Sequence, residues 1–327
     1  MRRREFIALV GAAAVTWPRA ALAQQDAMPV IGLLAPWGPG DSSQLTTALF
    51  QGLKEAGFVE GQNVSIEYRL AGNQNVRLPA MAADLVHRQV TVIAACATPA
   101  ALAAKAATTT IPIVFEMGGD PVQLGLVASL NRPGGNVTGV TNFNTLVAPK
   151  RLELLHELLP KATSFGLLVN PANPTATEFE KGIVLTAAHT LGLELHVLNA
   201  STEHDFDAVF TELVQSRMGG LAITADPFFT ARAEQIAALA VRHAVPTVYE
   251  NRQFVTAGGL ASYGGNQADS YRLAGGYVAR ILKGERPDAL PVQQTTQIEL
   301  FLNLKSAKAL GLTVPLSILN RADEVIE

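Results

Sequence analysis

The sequence predicts an α/β protein of two similar lobes, each a parallel sheet flanked by helices, on three observations. From Pro29 onward, short apolar runs alternate with amphipathic stretches, the pattern of parallel strands joined by crossover helices. Most of these runs lack polar alternation, as strands covered on both faces do. The pattern is also stated twice: Val30-Ile31-Gly32-Leu33-Leu34-Ala35-Pro36 opens one half and Phe165-Gly166-Leu167-Leu168-Val169-Asn170-Pro171 the other. A chain of 327 residues, 48% apolar and 16% charged, is long enough for two cores and is not disordered.

Residues 1–23 read as an export signal cleaved before Gln24. Arg2, Arg3 and Arg4 form a basic head, residues 6–17 an apolar stretch, and Ala21-Leu22-Ala23 a small-x-small cleavage site. Arg3-Arg4-Glu5-Phe6-Ile7 also fits the twin-arginine pattern. An apolar run of roughly 12 residues falls short of the about 20 that span a bilayer, so the mature chain is expected in the periplasm, not across the membrane.

Strands are predicted at 30–35, 64–68, 90–95 and 111–115 in the first half. In the second they are predicted at 165–169, 194–198, 220–224, 247–249 and 259–262. Leu45, Leu49, Leu53 and Ala56 recur at helical spacing before Gly57, and Leu152, Leu155 and Leu159 do so before Pro160. The chain first crosses between lobes near 142–150, and the helix 269–282 and strand 298–302 carry it across again. The first lobe is thus expected to hold residues 28–145 and about 264–293, the second 146–263 and about 294–327.

A net charge of −3 argues against a nucleic-acid partner, which needs a basic footprint. A single cysteine, Cys96, excludes a disulfide framework, and six scattered histidines show no metal-ligand spacing. There is no nucleophile elbow or phosphate loop, and Gly38-Pro39-Gly40 lacks the third glycine of a dinucleotide fingerprint. No catalytic residue and no cofactor is therefore assigned. Asp120, Asp226, Glu116 and Glu250 remain as carboxylates whose spacing does not separate a general acid from a cap.

Three times a strand ends in a short polar residue followed by proline: Thr98-Pro99, Asp120-Pro121 and Asp226-Pro227. Each is read as an N-cap with Pro at N1. In an open parallel sheet such helix starts line the crevice where ligands bind, so each residue is a ligand candidate as well as a cap. Trp37 in the loop after the first strand, and Tyr249 and Tyr263 ending strands of the second half, are candidate aromatic walls or ordinary packing. Phe228 and Phe229 share that ambiguity. Asn142, Asn144 and Asn170 sit in loops, as donors to a ligand carbonyl or as turn formers.

The run Gly118-Gly119-Asp120-Pro121-Val122-Gln123-Leu124-Gly125-Leu126-Val127, with Leu130-Asn131-Arg132-Pro133-Gly134-Gly135-Asn136-Val137-Thr138-Gly139 and Lys150-Arg151-Leu152-Glu153-Leu154-Leu155, resembles ABC transporter substrate-binding proteins of the tryptophan-binding TrpX-like group. The resemblance covers nearly the whole mature chain, including Phe50-Gln51-Gly52-Leu53 and Ile66-Glu67-Tyr68-Arg69. It implies a type 1 periplasmic-binding fold: two Rossmann-like lobes, three crossing segments, a small organic ligand enclosed at the hinge, and delivery to a membrane permease. It implies Thr98 for a ligand's acidic group, Asp226 for an amine, and Trp37, Asn142, Tyr249 and Tyr263 as neighbouring walls. Ala97 stands where the family more usually has glycine, and Cys96 precedes it. An aromatic or branched-chain amino acid, or an aromatic acid, is the expected ligand class. A binding subunit for a sensor, or an exported enzyme on the same frame, are the alternatives.

Overall fold

The computed structural model describes residues 28–41 and 43–327, so the predicted export signal lies outside the described residues. In the first half β1 (Val30–Ala35), α1 (Ser43–Glu55), β2 (Ser65–Leu70), α2 (Leu78–His87), β3 (Val92–Cys96), α3 (Ala97–Ala107), β4 (Ile113–Met117) and β5 (Val137–Thr141) follow one another. The second half repeats the scheme. It runs α4 (Ala148–Leu158), β6 (Ser164–Val169), α5 (Pro174–Leu191), β7 (Glu194–Asn199), α6 (Asp205–Gln215), β8 (Leu221–Ile223), α7 (Pro227–Ala231), α8 (Ala233–Arg242), β9 (Thr247–Tyr249), α9 (Arg252–Thr256) and β10 (Ala261–Gly265). The C-terminal stretch adds α10 (Gln267–Leu282), β11 (Gln293–Gln294), β12 (Ile298–Asn303), α11 (Leu304–Ala309), α12 (Leu316–Leu319) and β13 (Glu324–Ile326).

The first sheet has the order β11-β5-β4-β3-β1-β2 and the second β13-β12-β10-β9-β8-β6-β7. Five strands thus run in the same order in both sheets, and each sheet reverses direction beside its first strand, β1 or β6. All pairings are parallel except β12 on β10. This is the two-sheet α/β fold the sequence predicts.

The apolar strands are buried on both faces for the expected reason. Ile31, Leu33 and Ala35 pack towards α1 and α10, whereas Leu34 packs towards α2 and α3. In the second half Phe165, Leu167 and Val169 meet α4 and α5, and Leu168 meets α6 and α8. Each fully buried Val, Leu, Ile or Phe side chain among them contributes roughly 1.5–3 kcal/mol of transfer free energy. Helix α10 follows the second sheet's β10 yet lies against α1 of the first half. The chain therefore passes between the sheets three times: from β5 to α4, from β10 to α10 and from β11 to β12.

Two of the three proline motifs differ from expectation. Thr98 is not an N-cap: α3 already begins at Ala97, whose backbone is left-handed at φ 66°, and no side chain caps it. No helix follows Asp120. Its Oδ1 accepts from the N–H of Val122 at 2.8 Å and of Gln123 at 3.2 Å, holding a turn that left-handed Gly125 ends. Asp226 does cap α7, accepting from Phe228 N at 2.9 Å. Strand β5 was missed in the sequence because Thr138, Gly139 and Thr141 interrupt its apolar run.

Candidate functional site

The carboxyl ends of the strands in both sheets converge on one cleft, with about 580 Å³ of space free of protein atoms, part of it open to solvent. From the first half it is lined by Trp37 after β1, Thr98 at the start of α3, Glu116 near the end of β4, and Asn142, Asn144 and Thr145 after β5. Opposite stand Asn173 before α5, Asp226 and Thr230 at α7, and Glu250 after β9. Gln267 and Tyr271 of α10 complete the wall.

Trp37 is 3% exposed, and its ring lies 6.1 Å from that of Tyr271 at 58°. Its loop is fixed by Asp41, whose Oδ2 accepts from Gly38 N at 2.9 Å and Asn73 Nδ2 at 3.0 Å. Glu116 accepts from Asn142 Nδ2 at 3.0 Å and Ser270 Oγ at 2.7 Å. Burial pushes the Glu116 carboxyl up to about 7 against these hydrogen bonds.

Across the cleft Glu250 accepts from Thr230 Oγ1 at 2.7 Å. Burial pushes its carboxyl up to about 7, although the charge of Arg151 opposes the shift. Asp226 accepts from Asn170 Nδ2 at 2.9 Å and Asn173 Nδ2 at 2.8 Å, and burial raises its carboxyl too. Arg151, 1% exposed, does not reach the cleft wall. It donates to Glu180 Oε1 at 2.6 Å and to the carbonyls of Asn144 at 3.0 Å and Tyr263 at 3.3 Å. Glu180 in turn accepts from Ala225 N, next to Asp226. Burial pushes Glu180 up to about 8 even with the guanidinium beside it.

Of the residues singled out in the sequence, Trp37, Thr98, Asn142 and Asp226 share this cleft, as do Glu116, Glu250 and Asn144. Asp120 does not; it lines a neighbouring chamber with Leu124 and Phe179. Tyr249 is a core residue, fully buried and stacked on Phe254 with centroids 4.6 Å apart. Alternation along β9 explains the miss: Val248 and Tyr249 enter the two core layers, and the next residue, Glu250, reaches the cleft. Tyr263 turns its side chain to a surface groove with Lys150 and Arg321. Phe228 and Phe229 both pack against Phe206 in the core. Asn173, Gln267 and Tyr271 were missed. Tyr271 shares its helical face with Ala274 and Val278, the pattern of a core residue.

The family model for ABC transporter substrate binding protein matches residues 40–326, nearly all of the described chain. This chain belongs to the ABC transporter substrate-binding protein family. It is 28% identical over 264 residues to a tyrosine-binding protein of Clostridioides difficile (strain R20291), covering 80% of this chain and 74% of that one. Among solved structures, a conserved domain protein of Vibrio cholerae is 27% identical, with TM-score 0.82 over 91% of this chain and all of that one. A Streptococcus pneumoniae ABC domain in complex with L-Trp is 25% identical, with TM-score 0.81 over 92% of this chain and all of that one. The ligand-free, open structure of an adhesive substrate-binding protein of Clostridium difficile is also 25% identical, but its TM-score is 0.62 over 91% of this chain and 99% of that one. More distant likenesses, such as a 5-methylthioribose-binding protein of Thermotoga lettingae at 14% identity and TM-score 0.62 over 90% of this chain and 97% of that one, share the type 1 periplasmic-binding fold. Among the described residues no helix is long and apolar enough to cross a membrane.

Proposed function

We propose that the chain is the periplasmic solute receptor of an ABC importer and that it captures an aromatic amino acid between its two lobes. The observation that carries this reading is the composition of the cleft. Two aromatic rings, Trp37 and Tyr271, and three buried carboxylates, Glu116, Asp226 and Glu250, face it, with no Lys, Arg or His side chain among the described lining residues. Buried carboxylates are stabilised by a cation, and the α-ammonium of an amino acid supplies one. The rings favour a flat side chain over a branched aliphatic one. A bare aromatic acid would bring a further anion with nothing to neutralise it. The tyrosine-binding relative and the L-Trp complex support the same class.

The moving bodies are residues 28–145 with about 266–294, and 146–265 with about 295–327. A ligand that touches both favours closure by its differential affinity, and the inner-membrane permease receives the closed form. The test is calorimetry and thermal melting of the mature protein against all twenty amino acids and bare aromatic acids. L-tyrosine or L-tryptophan is expected to raise the melting temperature, since binding the native state alone adds RT ln(1 + [L]/Kd). Preference for an aromatic acid without an amine, or no response to any amino acid, overturns the reading.

A further inference from the structure

We propose that Asn144 is a specificity-determining residue, its side-chain N–H donating to a carboxylate oxygen of the ligand; the inference rests on the amino-acid reading above. Asn144 is 1% exposed, lies in the passage from β5 to α4, and lines the cleft. Three of its polar groups are committed. Its backbone N–H donates to Asn142 Oδ1 at 3.0 Å, its carbonyl accepts from Arg151 Nη1 at 3.0 Å, and its Oδ1 accepts from Gly265 N at 2.6 Å.

The last bond fixes the orientation of the amide, because the Gly265 N–H must meet the oxygen. The nitrogen at the other end is then buried with no hydrogen-bond partner. Native proteins seldom leave a buried donor unused without a function for it. The cleft supplies the function. With carboxylates facing it and no cation in the described lining, a ligand carboxylate has to be received by neutral donors, the Asn144 amide and the Thr98 hydroxyl among them. Thr98 makes no hydrogen bond among the described residues that would commit its hydroxyl elsewhere.

The position adds a consequence for closure. Asn144 sits in the first passage between the lobes and holds Gly265 at the start of the second. A ligand bound to its N–H is thereby held by a side chain that ties the two passages together.

The test uses L-tyrosine, L-tryptophan and tyramine, the amine that tyrosine leaves on losing its carboxylate. Asn144→Asp keeps an oxygen for Gly265 and replaces the donor by an acceptor. It is expected to weaken the aromatic amino acids by roughly 10- to 100-fold, the weight of a hydrogen bond to a charged group, while leaving tyramine unweakened. Equal affinity in variant and wild type, or equal losses for L-tyrosine and tyramine, overturns the role of Asn144. Failure of the wild type to bind either amino acid overturns the underlying reading and this assignment together. Should the variant not fold, nuclear magnetic resonance of the wild type decides. The assigned Asn144 side-chain NH₂ signals are expected to shift with L-tyrosine and not with tyramine, and the same response to both overturns the role.

Discussion

Ala97 holds a left-handed backbone, φ 66°, at the start of α3, in the wall of the cleft. For a residue with a Cβ this conformation costs roughly 1–2 kcal/mol, against about 0.4–1 kcal/mol that glycine loses through a more flexible unfolded chain. Ala97→Gly is therefore expected to stabilise the protein by up to about 1.5 kcal/mol, and a fall in the urea midpoint would contradict it. Arg151 makes the opposite case. Arg151→Leu strands Glu180, 1% exposed, without its cation. The cost is expected to be about 3–5 kcal/mol at pH 9, by denaturant unfolding, and smaller at pH 6, where a carboxyl pushed up to about 8 is protonated and needs no counter-charge. Equal costs at the two pH values would show that the pair is not held by charge. At this scale the sequence reveals only part of the site. Trp37, Thr98 and Asp226 are legible because strand-end loops of a parallel sheet face the crevice. Tyr249 and Glu250 are adjacent, and which of them faces the ligand depends on strand register, which composition does not encode.

At the scale of elements, the doubled strand-helix pattern is legible because apolar runs covered on both faces leave few other architectures. The weaker strands are not: β11 is two residues of glutamine and is ordered by pairing with β5 rather than by its own propensity. The position of α10 is equally invisible to periodicity. It packs on α1 at a distance set by two glycines: a Cβ on Gly52 would stand 1.9 Å from Arg272 O, and one on Gly275 2.0 Å from Leu49 O. Because α10 also brings Ser270 to Glu116 and Tyr271 to Trp37, this contact positions one wall of the cleft. Gly275→Val is expected to force the helices apart at a cost at the upper end of overpacking, about 3 kcal/mol. It is expected to weaken ligand binding as Tyr271 is displaced. Unfolding by urea and calorimetric titration read the two effects, and a variant as stable as the wild type would mean that the helices do not need this spacing.

At the scale of the whole molecule, Glu116 and Glu250 face one cleft from opposite lobes, and burial pushes both up to about 7. The unfolded chain releases those protons near its ordinary value of 4.5, so the folded state binds more protons between about 4.5 and 7. Stability from these groups is fully present below pH 4.5 and declines as pH rises through that window, because slope follows the protons bound by the unfolded chain minus those bound by the folded one. An ammonium seated between the carboxylates favours their ionised forms and reverses the trend. Binding is then expected to release protons, and affinity to rise from pH 5.5 to 7.5 while the melting temperature of the ligand-free protein falls. Titration calorimetry at pH 6 in buffers of different ionisation enthalpy measures the protons directly. A binding heat that does not change with the buffer would mean that the ligand's cation is not placed between Glu116 and Glu250.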